Sequence, residues 1–176
     1  MNDRFRKITV TAMLAAMTCI ATMIIKVPTV GTAGYVNIGD SIVIVSSWMM
    51  GNPYGALAAG TGSALADLLS GYVSYAPATA VIKFLMAFAC TGILSAMGKM
   101  RIPGIAALIT GSAVAEIIMI AGYFLYESTI LGYGLAASAS VISNAVQGGI
   151  CIVLGIALIT VLSRIRAINE LREDLK

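Results

Sequence analysis

The chain has 176 residues, 59% of them hydrophobic and 11% charged, with a net charge of +3 and a mean hydropathy of +0.95. Soluble domains carry about 25% charged residues, so a water-soluble globule is excluded. Histidine is absent, which removes Ser-His-Asp and Cys-His catalysis and every His-dependent metal motif.

A bilayer crossing takes roughly 20 apolar residues, which leaves room for six spans with short connections. The expected fold is therefore all-α: one six-helix membrane domain over residues 1–176. In chain order, the first span covers 8–26 and stops at Val27-Pro28, because the residue before proline is pushed out of the helical region. Arg4, Arg6 and Lys7 ahead of it resemble the start of a signal peptide, but the unbroken apolar run and the lack of a small-x-small cleavage pattern favour a retained helix. A polar connection over 28–40 follows. The second span, 41–50, ends at the turn sequence Gly51-Asn52-Pro53, and the third covers 54–69. Both are short for a crossing, so flanking turns or a thinned bilayer must make up the length. The fourth covers 77–97, the fifth 102–126 and the sixth 135–163. Residues 164–176 alternate in charge, as a solvated continuation of the last helix does.

Six spans place both termini and the even connections on one side. That side holds Arg4, Arg6, Lys7, Lys99, Arg101, Arg164, Arg166, Arg172 and Lys176, nine of the eleven basic residues, so it is expected to be cytoplasmic. Cys19, Cys90 and Cys151 lie in apolar runs and read as buried thiols, neither disulfide-bonded nor metal-binding.

The outer side collects the polar chemistry. Tyr35, Tyr72, Tyr75, Tyr123, Tyr126 and Tyr133 fall at the outer ends of helices or in outer connections, and only Tyr54 falls at the other end. This is either a one-sided aromatic belt or a tyrosine-rich cup. Ionisable residues inside apolar segments are costly and mark candidate sites. Asp40, Asp67 and Lys83 sit at similar depth on three helices, where Lys83 can pair with either carboxylate as a structural ion pair or as part of a site. Glu116 lies mid-helix with no basic residue at its depth, so it is protonated, faces a wet cavity or contacts a ligand. Ser140, Asn144, Gln147, Gly148 and Cys151 share one face of the sixth helix. Asn144 and Gln147 can each donate and accept, to a heterocycle edge or to a neighbouring helix. Gly60, Ser63, Asp67 and Gly71 share a face of the third. Convergent polar groups with aromatic walls suit a small, flat, polar solute.

Residues 35–40 (Tyr-Val-Asn-Ile-Gly-Asp), 51–55 (Gly-Asn-Pro-Tyr-Gly), 62–72 (Gly-Ser-Ala-Leu-Ala-Asp-Leu-Leu-Ser-Gly-Tyr) and 75–79 (Tyr-Ala-Pro-Ala-Thr), with Lys83, resemble the substrate-binding S components of energy-coupling factor (ECF) vitamin transporters. The closest subgroup contains the riboflavin- and hydroxymethylpyrimidine-type members. The resemblance implies a vitamin site on the outer side, capped by the connection holding Tyr35, Asn37 and Asp40 and lined by the last three helices, where Lys83, Glu116, Tyr123, Asn144 and Gln147 fall; Asp67 and Tyr75 complete the candidate set. It implies docking to a transmembrane coupling subunit through small residues of the first helix, matched by Ala12 and Ala16 with Ala15 beside them. It also implies two cytosolic ATPases as partners, in the plasma membrane of a prokaryote. No phosphate loop occurs in this chain, and no cofactor is expected. One lysine among several carboxylates suits a pyrimidine or pyridine vitamin or precursor better than riboflavin. The rival readings are a self-sufficient secondary carrier and an integral membrane enzyme.

Overall fold

A computed structural model describes residues 3–29 and 32–175. The helices are α1 (Asp3–Ile24), α2 (Gly39–Met50), α3 (Tyr54–Leu69), α4 (Ala76–Lys99), α5 (Gly104–Leu125), α6 (Ser138–Leu162) and α7 (Arg166–Asp174). Two short strands, β1 (Lys26–Pro28) and β2 (Tyr35–Asn37), pair antiparallel between α1 and α2, with Val27 opposite Val36. From the sequence this stretch is marked only as a polar connection. The β-branched pair and the Pro28 edge position are what three-residue strands of this kind carry.

The first six helices run alternately up and down. One end of the bundle holds the hairpin, the C-terminus of α1 and the N-terminus of α2. The other holds the N-terminus of α1 and helix α7, where Arg6 bonds Asp174 at 2.7 Å. We call these the hairpin end and the terminal end. Except for Lys176, which lies outside the described residues, the basic residues assigned to one side in the sequence belong to elements at the terminal end.

Helix α2 is central. All twelve of its residues are buried, Asp40 and three serines among them. At 1.5 Å per residue it is about 18 Å long, well short of a bilayer core. It begins two residues before the expected 41 and is otherwise not lengthened; its neighbours enclose it. Four segments, Asp3–Ile24, Ala76–Lys99, Gly104–Ile130 and Gly134–Leu162, are long and apolar enough to cross a membrane. Their outward faces carry exposed apolar side chains such as Met13, Ile20, Val81, Ile117, Ile142 and Val153.

Close helix approach rests on missing side chains. A Cβ at Gly62 of α3 would lie 2.3 Å from the Ala15 carbonyl of α1, and one at Gly60 would lie 2.7 Å from the Ala80 carbonyl of α4. In lipid such contact packing, rather than water exclusion, drives helix association. The third helix ends where Gly71 adopts φ +85 and the Tyr72 and Gly71 amides bond back to Asp67 and Leu68 carbonyls, a Schellman stop.

Two segments differ from the sequence expectation. Helix α5 starts only after Pro103 and continues into a π-helical turn, Tyr126–Ile130, and a 3-10 turn, Gly134–Ala137, precedes α6. The C-terminal residues do not prolong α6. The helix stops at Leu162, and the Asn169 amide donates to the Ser163 carbonyl at 2.7 Å. Helix α7 then folds back. Ile168 and Leu171 pack against the cluster around Trp48, and Leu171 and Leu175 against that around Leu14 and Met50. The charges of this segment drew attention from its apolar stripe, spaced i, i+3 and i+7.

Candidate functional site

The hairpin end encloses a cavity bordered by Tyr35, Asn37, Asp67, Tyr75, Lys83, Tyr123, Asn144 and Gln147. Eight of the ten site residues expected from sequence thus meet in one place. Thr22, Thr29, Gly34, Ser63, Thr79 and Glu127 complete the lining.

Local structure explains how the roof is held. The Asn37 side-chain oxygen accepts the Gly39 N–H at 2.8 Å, an Asx turn that starts α2. Gly39 must be a glycine, because a Cβ there would lie 2.1 Å from Thr22 Oγ1. The Asn37 N–H donates to Gln147 Oε1 at 2.6 Å, and the Cys151 thiol reaches the Asn37 carbonyl at 3.6 Å. Helix α6 therefore clamps β2 by its backbone.

Beneath the roof lies an ion pair. Lys83 donates to Asp40 Oδ1, and the Gln147 amide donates to Asp40 Oδ2 at 2.5 Å. Asp40 is fully buried and Lys83 is 2% exposed. Asp40 stands in the first turn of α2, where the helix dipole favours a carboxylate. Both its oxygens are occupied, and it stands behind the cavity wall instead of in it. Of the two partners open to Lys83 in the sequence, Asp40 is the one it contacts. The ammonium also stands 5.4 Å from the centroid of the Tyr123 ring.

The tyrosines form a wall. Tyr35 contacts Tyr72 (centroids 4.5 Å apart), Tyr72 contacts Tyr75, and Tyr75 contacts both Tyr123 and Tyr126. Tyr133 takes no part in these ring contacts. The hydroxyls are directed to specific acceptors: Tyr35 to Asp67 Oδ1 at 2.6 Å, Tyr75 to Glu127 Oε1 at 3.0 Å, and Tyr126 to the Ser74 carbonyl. Thr79 and Tyr123 share a hydrogen bond of 3.0 Å. Burial, reinforced by the Asp67 carboxylate, pushes the Tyr35 phenol up from its usual value, so it stays a donor.

Glu127 was not singled out in the sequence. It is 2% exposed and accepts from both Tyr75 and Ser140. Its signal is an acid in a connection between α5 and α6 that is otherwise free of charge, and the π-helical turn aims it inward; such turns recur at functional sites.

Six buried side-chain polar atoms have no partner among the described residues: Asp67 Oδ2, Ser46 Oγ, Ser63 Oγ, Ser112 Oγ and both Glu116 oxygens. Glu116 does not border the cavity. Gly148 of α6 lies over it, so close that a Cβ there would stand 3.0 Å from the Glu116 Cβ. The wet-cavity reading of Glu116 is corrected accordingly: a residue without a side chain lets α6 seal it off. Asn144 borders the cavity and makes no side-chain hydrogen bond among the described residues.

The cavity volume is about 20 Å³, enough for a water molecule. The three cysteines are free and buried. On α1, Ala12 and Ala16 are exposed, whereas Ala15 turns towards α3 and packs beside Val10 and Leu14.

A membrane bundle with one polar, tyrosine-walled cavity at the end away from its termini is a solute-binding architecture. Residues 2–164 match the family described as ECF-type riboflavin transporter, S component, and the chain belongs to that family of membrane transport subunits. A solved structure described as the S component of a bacterial ECF transporter superposes with a TM-score of 0.67 at 18% identity, covering 92% of this chain and 97% of that one. A Pyrococcus woesei protein, described as an uncharacterized protein in the gap 3′ region, is 29% identical over 136 residues, 77% of this chain and 87% of its own.

Proposed function

We propose that the chain is the vitamin-binding subunit of an ECF importer in a prokaryotic plasma membrane. All six helices of the bundle sit in the bilayer, both termini are cytoplasmic, and the hairpin end faces outward. The observation that carries this reading is the asymmetry of the bundle. The hairpin end holds the cavity and its unpaired polar atoms, while the terminal end is packed with Trp48, Met49, Leu108 and Ile159. A solute can be held at one end with no polar route onward.

The favoured ligand is a small aromatic heterocycle, a pyrimidine or pyridine vitamin or its precursor, stacked on tyrosine and set against the Lys83–Asp40–Gln147 network. Riboflavin is the second reading, favoured by the description of the matching family. Admission of either requires the hairpin to lift, since the cavity has room for little more than water. Transfer inward then needs the coupling subunit, docked on the exposed Ala12/Ala16 face and driven by two ATPases, with the whole subunit tilting in the membrane.

Thermal-shift and calorimetric titration of the purified chain with a vitamin panel tests the reading. Saturable binding of one vitamin without turnover supports it; chemical conversion of the bound compound supports the enzyme reading instead.

A further inference from the structure

The charge inside the hairpin end is unbalanced. Among the described residues, Asp40, Asp67, Glu116 and Glu127 are buried there with Lys83 as the one buried ammonium. Asp40 has consumed that ammonium, and Glu127 is satisfied by two hydroxyls. Glu116 is sealed behind Gly148.

Asp67 is different. It borders the cavity at 3% exposure, and only Oδ1 has a partner, the Tyr35 hydroxyl. Its Oδ2 has none. Thr79 lies beside it and shares a hydrogen bond with Tyr123 in which either hydroxyl can donate, so its one proton serves either the carboxylate or the phenol. One turn earlier on the same face of α3, the buried Ser63 hydroxyl also borders the cavity without a partner. The Asn144 side chain, likewise unbonded, borders the cavity from α6. A buried acceptor left unmade is expensive, more so for a charged group. The Asp67 oxygen can only accept, so the ligand atom facing it must donate, whereas the Ser63 hydroxyl and the Asn144 amide can each donate or accept.

We infer that Asp67 and Ser63 form the specificity-determining edge of the cavity and read an amino group or protonated ring nitrogen of the ligand. This inference rests on the vitamin-binding reading and narrows it. The ligand class becomes an amino-substituted, unphosphorylated heterocycle. A phosphate ester would add negative charge to a cavity already rich in carboxylate, and a ring presenting a carbonyl towards Asp67 would set acceptor against acceptor. Asp67 makes the choice because Tyr35 fixes its rotamer by holding Oδ1, which leaves Oδ2 free for the ligand.

Matched probes test this in the full-length chain in detergent or nanodiscs. Calorimetry is run with a 4-aminopyrimidine and its 4-oxo counterpart, an aminopyridine and its hydroxy counterpart, and riboflavin. The expected result is at least tenfold tighter binding of the amino member of a pair, lost in Asp67→Asn and weakened severalfold in Ser63→Ala, with the oxo member unaffected by Ser63→Ala and bound more tightly by Asp67→Asn, whose amide can donate to its carbonyl. Thermal melting of each variant without ligand separates misfolding from lost recognition, and Ser63→Ala, which removes one atom and no hydrogen bond, keeps the test open if Asp67→Asn does not fold. Equal or tighter binding of the oxo member overturns the inference alone, as does binding of riboflavin with neither amino probe bound. If no probe binds, the vitamin-binding reading falls and this inference falls with it.

Discussion

Gln147 on α6 and Asn37 on β2 are joined by a hydrogen bond of 2.6 Å from a backbone N–H to a side-chain oxygen. The other end of the same amide donates to Asp40, so one side chain ties the roof of the cavity to the ion pair beneath it. Both its donor and its acceptor are used in directions that no other residue type of that length supplies.

Replacing Gln147 with alanine should therefore loosen the roof. The Asn37 amide is expected to exchange hydrogen at least tenfold faster in Gln147→Ala, equivalent to about 1.4 kcal/mol or more of lost local protection. Amides in the middle of α4 and α5 should be unchanged. Native-state hydrogen exchange read by mass spectrometry checks this.

The Lys83–Asp40 pair should behave as buried pairs do. Asp40→Asn or Lys83→Met alone leaves one charge without its counterion and is expected to cost about 3–5 kcal/mol. The double variant should recover most of that loss, because removing both charges also removes the desolvation penalty. Thermal melts of the three variants in one detergent give the coupling directly.

How much of this was legible in advance follows from how each residue signals itself. Spans show in apolar run length, and Asp40, Lys83 and Gln147 stood out because charge and amide are rare in such runs. The partner of Lys83 stayed open because Asp40 and Asp67 fall at similar depth, and rotation about a helix axis cannot be fixed without its neighbours. Glu127 escaped because its position depends on a π-helical turn, which leaves no periodic mark. The strands escaped because three residues are too few for an alternating pattern. The candidate α1 docking set is split for a similar reason: Ala12, Ala15 and Ala16 lie within five residues of one another, yet Ala15 faces α3, where its carbonyl stands against Gly62.

The return of α7 was hidden by its charges, and its docking has a convenient reporter. The Arg172 guanidinium stacks 4.4 Å from the centroid of the Trp48 ring and donates to the Trp48 carbonyl at 2.8 Å. Trp48 is the sole tryptophan. Arg172→Ala should change its emission and lower stability by about 1–2 kcal/mol. Arg172→Lys should not restore either, since a lysine lacks the planar fork that stacks and donates together. Fluorescence spectra and melts of the two variants decide this.

The central claim is that this chain binds a vitamin but cannot move it alone. The most direct measurement is uptake of the bound vitamin into proteoliposomes containing the chain alone, the chain with an ECF coupling module and ATP, or an Ala12→Leu/Ala16→Leu variant with the same module. The account predicts no accumulation by the chain alone, ATP-dependent accumulation with the module, and loss of accumulation with retained binding in the variant. Accumulation by the chain alone, at a rate the module does not increase, would contradict it.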